Sequence, residues 1–250
     1  MGFSYSPKVV TDGLVLYLDA ANPLSYASGS TKWNDLSRGR NSGGIYNGTT
    51  YSSDVKGNFS FDGGNDYIQF PYNSDFEFQY NSTFSIELFA YINESGGNGY
   101  LITNRSMSDG NGASFTGWGI LQHSGRVLFS IGGYPGGYSW RSVECSPTDF
   151  TTYCFQKWSH ISVTNTGVAG EQKMYINGED VSTNQDDDQT PPYTVDYNGT
   201  HNLTLGRSDA DNNGGHYLNG DIAVAKIYNR ALTSQEIQRN YQALKSRFGL

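Results

Sequence analysis

Apolar and polar residues alternate with a period of two along most of the chain, as in Phe84-Ser85-Ile86-Glu87-Leu88 and Leu16-Tyr17-Leu18-Asp19. Successive side chains of a strand point to opposite faces, so this alternation predicts half-buried strands. The pattern places strands at Leu14–Asp19, Phe59–Asp62, Asp66–Phe70, Phe84–Ile92, Tyr100–Thr103, Gly119–Gln122 and Arg126–Ile131, then at Trp158–Thr164, Gln172–Ile176, Leu203–Leu205 and Ile222–Tyr228. Clusters of Gly, Asn, Asp and Ser separate them, as turns between short strands require. Asn177-Gly178 supplies the positive φ angles of a tight hairpin turn. Only near the end does the period lengthen. Thr233-x-x-Glu236 has the form of a capping box, and Ile237, Tyr241, Leu244 and Phe248 recur at helical spacing, with Lys245 and Arg247 placed to complement the carbonyl end of the helix dipole. The expected architecture is all-β, two packed antiparallel sheets closed by one short helix over 233–248.

Composition narrows the function. The 250 residues fit one β-sandwich domain, 1–250, which includes an arm over 1–11 that either docks on a neighbour or frays. Glycine (31) and tyrosine (19) are abundant and only 16% of residues are charged, which suits short strands and many turns. A net charge of −8 argues against a nucleic-acid partner, because affinity for phosphate backbones comes from Lys and Arg. No apolar run has the length of a membrane span, so membrane insertion is not expected. The opening residues lack the basic and apolar regions of a signal peptide. Cys145 and Cys154 have two readings, a bridge or a pair of free thiols, and lack the partners of a zinc site.

Several segments together resemble the laminin G-like, concanavalin A-like jelly roll found in structural proteins of tailed bacteriophages. They are Val10-Thr11-Asp12-Gly13-Leu14 through Asn22-Pro23, Trp33-Asn34-Asp35-Leu36-Ser37, Phe61-Asp62-Gly63-Gly64-Asn65-Asp66-Tyr67-Ile68, Trp158-Ser159-His160-Ile161, Tyr175-Ile176-Asn177-Gly178, Leu205-Gly206-Arg207 and Gly220-Asp221-Ile222 through Leu232-Thr233. The resemblance implies a two-sheet antiparallel jelly roll on the virion surface, as a capsid decoration or fibre protein. Its expected partners are other virion proteins and a host surface glycan, and oligomerisation is open. The alternatives are a stand-alone carbohydrate-binding lectin and, third, a glycoside hydrolase.

A retaining glycosidase needs two carboxylates about 5 Å apart. The best acidic strand offers Glu87 alone, and a single charged residue on a half-exposed strand is expected on a solvated face. His123, His160, His201 and His216 have no ligand spacing, and no Gly-x-Ser-x-Gly elbow is present. Asp186-Asp187-Asp188 beside Pro191-Pro192 is expected as a solvated loop. No enzyme is expected, and no cofactor is required.

Two binding chemistries remain. Sugars present flat CH faces between hydroxyls, so shallow sites join an exposed ring to polar groups. Gly132 to Trp140 offers this in one loop, with Tyr134 and Tyr138 as preferred contacts and Trp140 and Trp118 as further rings; the alternative packs both tryptophans in the core. For calcium, Asp209, Asp211 and Asn213 before Gly214 match the first half of a calcium loop, although its twelfth place is Gly220. Asp62 and Asp66 bracket a glycine turn where some members of the family hold a rim calcium; where those members offer an acid in the last strand, this chain has Val224 and Ala225. The plain alternative for the Asp209–Gly214 loop is a polar turn.

Overall fold

The computed structural model describes residues 7–107, 115–133, 139–187, 195, 197, 202–208 and 216–250. Two antiparallel sheets form the expected sandwich. The first sheet runs β14 (Glu179–Asp180), β13 (Lys173–Ile176), β12 (Trp158–Asn165), β7 (Phe84–Ile92), β17 (Asn219–Tyr228), β5 (Asn58–Asp62) and β4 (Thr50–Ser52), with β1 (Leu14–Asp19) also paired to β17. The second runs β15 (Thr183–Asp187), β11 (Ser139–Glu144), β10 (Val127–Gly133), β9 (Phe115–His123), β8 (Asn98–Met107), β16 (Thr204–Leu205), β6 (Tyr67–Gln69), β3 (Gly43–Tyr46) and β2 (Lys32–Trp33).

The inner faces meet in one apolar core. Ile86, Leu88 and Ala90 of β7 pack there with Ile161, Val163, Ala225 and Ile227, against Ile68, Ile102, Ile120 and Phe129 of the second sheet. The alternation of β7 therefore sets the register, since a slip of one residue would turn this whole set outward. Asn177 (φ 54°) and Gly178 (φ 85°) form the predicted hairpin turn.

Two sequence expectations change here. The acids 186 and 187 are not in a free loop: they lie in β15, paired with Ser142 and Arg141 at the edge of the second sheet. Charged residues on an edge strand oppose edge-to-edge association, which accounts for acids in a strand with little apolar content. Trp118 lies in the core, fully buried, its indole N–H donating to the Phe76 carbonyl at 2.8 Å. It offers no ring to a ligand, so for Trp118 the core reading holds and the candidate surface ring does not. The glycines beside it allow close strand approach: Gly117 has φ 108° and faces Asn104 of β8 with no room for a Cβ.

The C-terminal helix spans Ser234–Leu244 with the predicted capping box: Thr233 Oγ1 accepts the Glu236 N–H and the Glu236 carboxylate accepts the Thr233 N–H. Arg230 also grips Glu236 at 2.6 Å. This bond leads the causes that hold the Glu236 carboxyl down at about 2. A depressed carboxyl stabilises the fold above its unfolded pKa and loses that contribution as pH falls through the folded value. Thr233→Ala is expected to cost about 1 kcal/mol in denaturant melts. In Glu236→Gln, the loss of stability between roughly pH 4.5 and 2 should be shallower than in the parent.

Arg247 lies beyond this helix, in a 3₁₀ turn (Lys245–Phe248), and does not serve the helix dipole. Its guanidinium bonds Asp19 Oδ1 at 2.6 Å and the carbonyls of Val55 and Gly57, anchoring the chain end to β1 and to the turn before β5. At the other end, Lys8 accepts a bond from Arg239 and Val10 donates one to Asn240, so residues 8–10 of the expected arm dock on the chain's own helix.

Candidate functional site

The acid that catalysis would most need is removed from solvent. Glu87 points to the outer face of the first sheet, the side opposite the core, as its place in the alternation predicts. Around Glu87 that face is not solvated. The C-terminal helix and residues near Val10 cover it, and Glu87 is only 1% exposed, which overturns the expectation of a solvated side chain. Lys226, its direct cross-strand partner, donates to Oε2 at 3.1 Å, and Asn240 of the helix donates to the same oxygen at 2.8 Å. Asn240 also donates to the Tyr228 hydroxyl, which in turn donates to the Val10 carbonyl. His160 Nε2 stands 3.5 Å from Oε1, between the rings of Phe89 and Tyr241. Burial alone would raise the Glu87 carboxyl, but Lys226 and His160 outweigh it and hold it below the usual carboxylate range. Burial holds His160 below the usual imidazole range despite Glu87. The result is a closed, buried ion pair beside a neutral imidazole, and among the described residues no second carboxylate contacts it.

The two cysteines follow β11 and are buried, free thiols. Burial raises Cys145 to about 11 and Cys154 to about 12. Since the thiolate is the nucleophile, native protein at pH 8 should take up almost no iodoacetamide in an hour and two equivalents once unfolded in denaturant. Rapid native labelling, read by mass spectrometry, would contradict their burial.

An exposed aromatic platform lies on the second sheet's outer face. Tyr46 of β3 and Tyr67 of β6 are direct cross-strand partners, stacked with ring centroids 4.8 Å apart and planes within 14°. The Arg207 guanidinium sits 3.5 Å from the Tyr67 centroid and donates to Gln69 Oε1 at 2.9 Å. One ring face cannot hold both neighbours at these distances, so Tyr67 is sandwiched between them and fixed. Gly44 makes room for the outer ring: a Cβ there would stand 2.9 Å from Tyr46 Cε2. Tyr46 remains 43% exposed.

Beside the platform is the Asp62–Asp66 turn. Asp66, nearly buried, accepts the N–H groups of Gly48 and Asp62 on its two oxygens, and Asp62 accepts the Gly64 N–H. Burial raises the Asp66 carboxyl. Both carboxylates close the turn, which brings exposed Asn47 and Asn65 to the rim of the platform, joined by an Asn47 Nδ2 bond to the Asn65 carbonyl. Among the described residues no three His, Cys, Asp or Glu side chains converge as a metal centre.

Of the residues singled out in the sequence, Tyr134, Tyr138, Asp209, Asp211 and Asn213 lie outside the described residues. Trp140 is in β11, opposite Gly132, rather than in a loop. Gly132 and the Asp62–Asp66 turn lie toward opposite ends of the second sheet. Tyr46 was not signalled by the alternation, and Tyr67, which a strand position would assign to structure alone, completes the platform.

The family model for the concanavalin A-like lectin/glucanases superfamily matches residues 62–238. The chain belongs to that superfamily. Among curated proteins no sequence relative matches. Among solved structures, the binding domain of Paraclostridial Mosquitocidal Protein 1 is similar, with a TM-score of 0.66, 18% identity, and coverage of 92% of this chain and 52% of the other. The ligand-binding domain of botulinum neurotoxin serotype D, determined in complex with N-acetylneuraminic acid, gives 0.66, 15%, 93% and 51%. The binding domain of serotype G gives 0.64, 15%, 91% and 50%. At these identities the likeness is one of fold, and the chain spans about half the length of each. Within the superfamily, this chain combines a closed Glu87 with an open tyrosine platform. Among its described residues no helix is long and apolar enough to cross a membrane.

Proposed function

We propose that the chain is a non-enzymatic carbohydrate-recognition module that binds a glycan on the Tyr46–Tyr67 platform. The observation that carries this is the platform itself: a ring pre-stacked on a fixed neighbour, with exposed amide side chains at its rim. A pyranose can lay its CH face on Tyr46 while its hydroxyls bond to Asn47 and Asn65. The ring is ordered before binding, so little conformational entropy is lost on association. Closure of Glu87 supports a binding role over hydrolysis. The serotype D neurotoxin domain binds N-acetylneuraminic acid, which makes sialylated glycans a rational part of any screen.

The finer reading places the module on a phage particle, as a capsid decoration or fibre protein that touches host glycans and other virion proteins. It rests on the sequence segments that resemble such proteins. Immunogold labelling of purified particles tests it, and absence of label would leave a free lectin.

For the binding role, a glycan array including sialylated structures should show hits with no release of reducing sugar. Running the array with calcium and with chelator tests Asp62 and Asp66, together with Asp209, Asp211 and Asn213, as a calcium-dependent rim. An array without hits, or turnover of any hit, would overturn the reading.

A further inference from the structure

The outer face of the first sheet carries a groove of about 310 Å³ on the side of the sandwich opposite the tyrosine platform. It is lined by Tyr153, Lys157, Trp158, Asn177, Phe248 and Leu250 among others. The local sequence builds it. Phe150 and Cys154 are buried at the two ends of a wide helical turn, which leaves Tyr153 outside and 42% exposed. Trp158 opens β12 on the outer face, partly exposed, and leans on Phe248 at 5.0 Å and Tyr91 at 5.8 Å. Asn177 is held by the backbone of His160 from both sides: its N–H donates to the His160 carbonyl at 2.8 Å and its Oδ1 accepts the His160 N–H at 3.0 Å. That fixes the amide and leaves Nδ2, like the Trp158 indole N–H, without an acceptor among the described residues.

The groove thus joins an apolar wall of rings to a rim whose side chains, Asn177, Trp158 and Lys157, present hydrogen-bond donors. The Lys157 ammonium already spends one bond on the Thr152 carbonyl at 2.6 Å and keeps its remaining hydrogens. An occupant must offer an apolar face and acceptor oxygens around its edge. An aliphatic side chain meets the first demand alone, whereas a pyranose meets both. The volume falls at the lower end of the range typical of small-ligand sites.

We infer that this groove is a second glycan site, taking a single pyranose unit against Trp158 and Tyr153 with Asn177 Nδ2 donating to a ring substituent. It is independent of the platform, so the module would engage glycan on both faces of the sandwich.

Trp158 is one of four tryptophans, so its contribution to the emission is taken as the difference between the parent and Trp158→Phe. Tryptophan emission is titrated with the methyl glycosides of glucose, galactose and N-acetylglucosamine. A saturable change at millimolar concentration is expected with at least one of them. It should be lost in Trp158→Phe, weakened at least tenfold in Tyr153→Ala, and retained in Tyr46→Ala. Asn177→Asp keeps the turn conformation and the acceptor to His160 but removes the donor, and should weaken binding several-fold with an unchanged melting temperature. No saturable change with any glycoside, or one untouched by Tyr153→Ala, would overturn the inference. So would N-acetylleucinamide binding where no glycoside does, since it would assign the groove to a protein side chain. A signal lost in Tyr46→Ala and untouched by Tyr153→Ala would sink the second site and leave the platform standing; the platform itself is tested separately by the array.

Discussion

Glu87→Ala should lower the stability of the fold by about 3–5 kcal/mol, because it leaves the Lys226 ammonium buried without its counter-charge. Lys226 has no exposed side-chain surface into which to turn, and Asn240 would lose its acceptor at the same time. For a chain of this size the melting temperature should fall by roughly 6–20 °C. Replacing both partners by apolar residues of similar volume, Glu87→Leu with Lys226→Met, should recover most of the loss, since the cost of a buried pair lies chiefly in leaving one member alone. A double variant as unstable as the single one would show that the carboxylate does more than neutralise Lys226.

The same cluster fixes the sign of the acid response. Glu87 has a depressed carboxyl, so its contribution is present above the ordinary carboxylate range and is lost on acidification. His160 is held neutral by burial, so below about pH 6.5 the unfolded chain takes up a proton that the folded chain refuses. Both effects lower stability as pH falls from neutral. His160→Phe should flatten the portion between roughly pH 7 and 5, with denaturant melts as the readout.

What could be read from the sequence was local. Asn177-Gly178 announced its hairpin and Thr233-x-x-Glu236 its cap because each is a short-range hydrogen-bonding or φ requirement. The alternation around Glu87 gave the correct face. It could not tell that a helix more than a hundred residues later would cover that face, because period two records orientation within a sheet and says nothing of what packs on it. For Trp118 the sequence left a surface ring and core packing both open, because alternation does not record whether a ring is covered. The platform was hidden more deeply. Tyr46 sits at the end of a four-residue strand opened by Gly43-Gly44, and its ring gains a neighbour only when β3 pairs with β6. The spaced pairs Gly44-x-Tyr46 and Tyr67-x-Gln69 were the available signal, visible only after the register was known.

Tyr46→Ala is the second large effect expected, this time on binding. The ring is exposed and rests on Tyr67, so removing it should change stability little while stripping the surface on which a sugar would lie. Loss of a central aromatic contact typically costs about 2 kcal/mol or more, roughly 30-fold in affinity. Tyr46→Phe keeps the flat face and should retain most of the binding. The direct measurement is a calorimetric titration of the best array glycan against the parent, Tyr46→Phe and Tyr46→Ala. Near-parent affinity in the Phe variant with a roughly 30-fold loss in the Ala variant is the predicted result. Equal affinity in all three would remove the platform from the binding site and contradict the account.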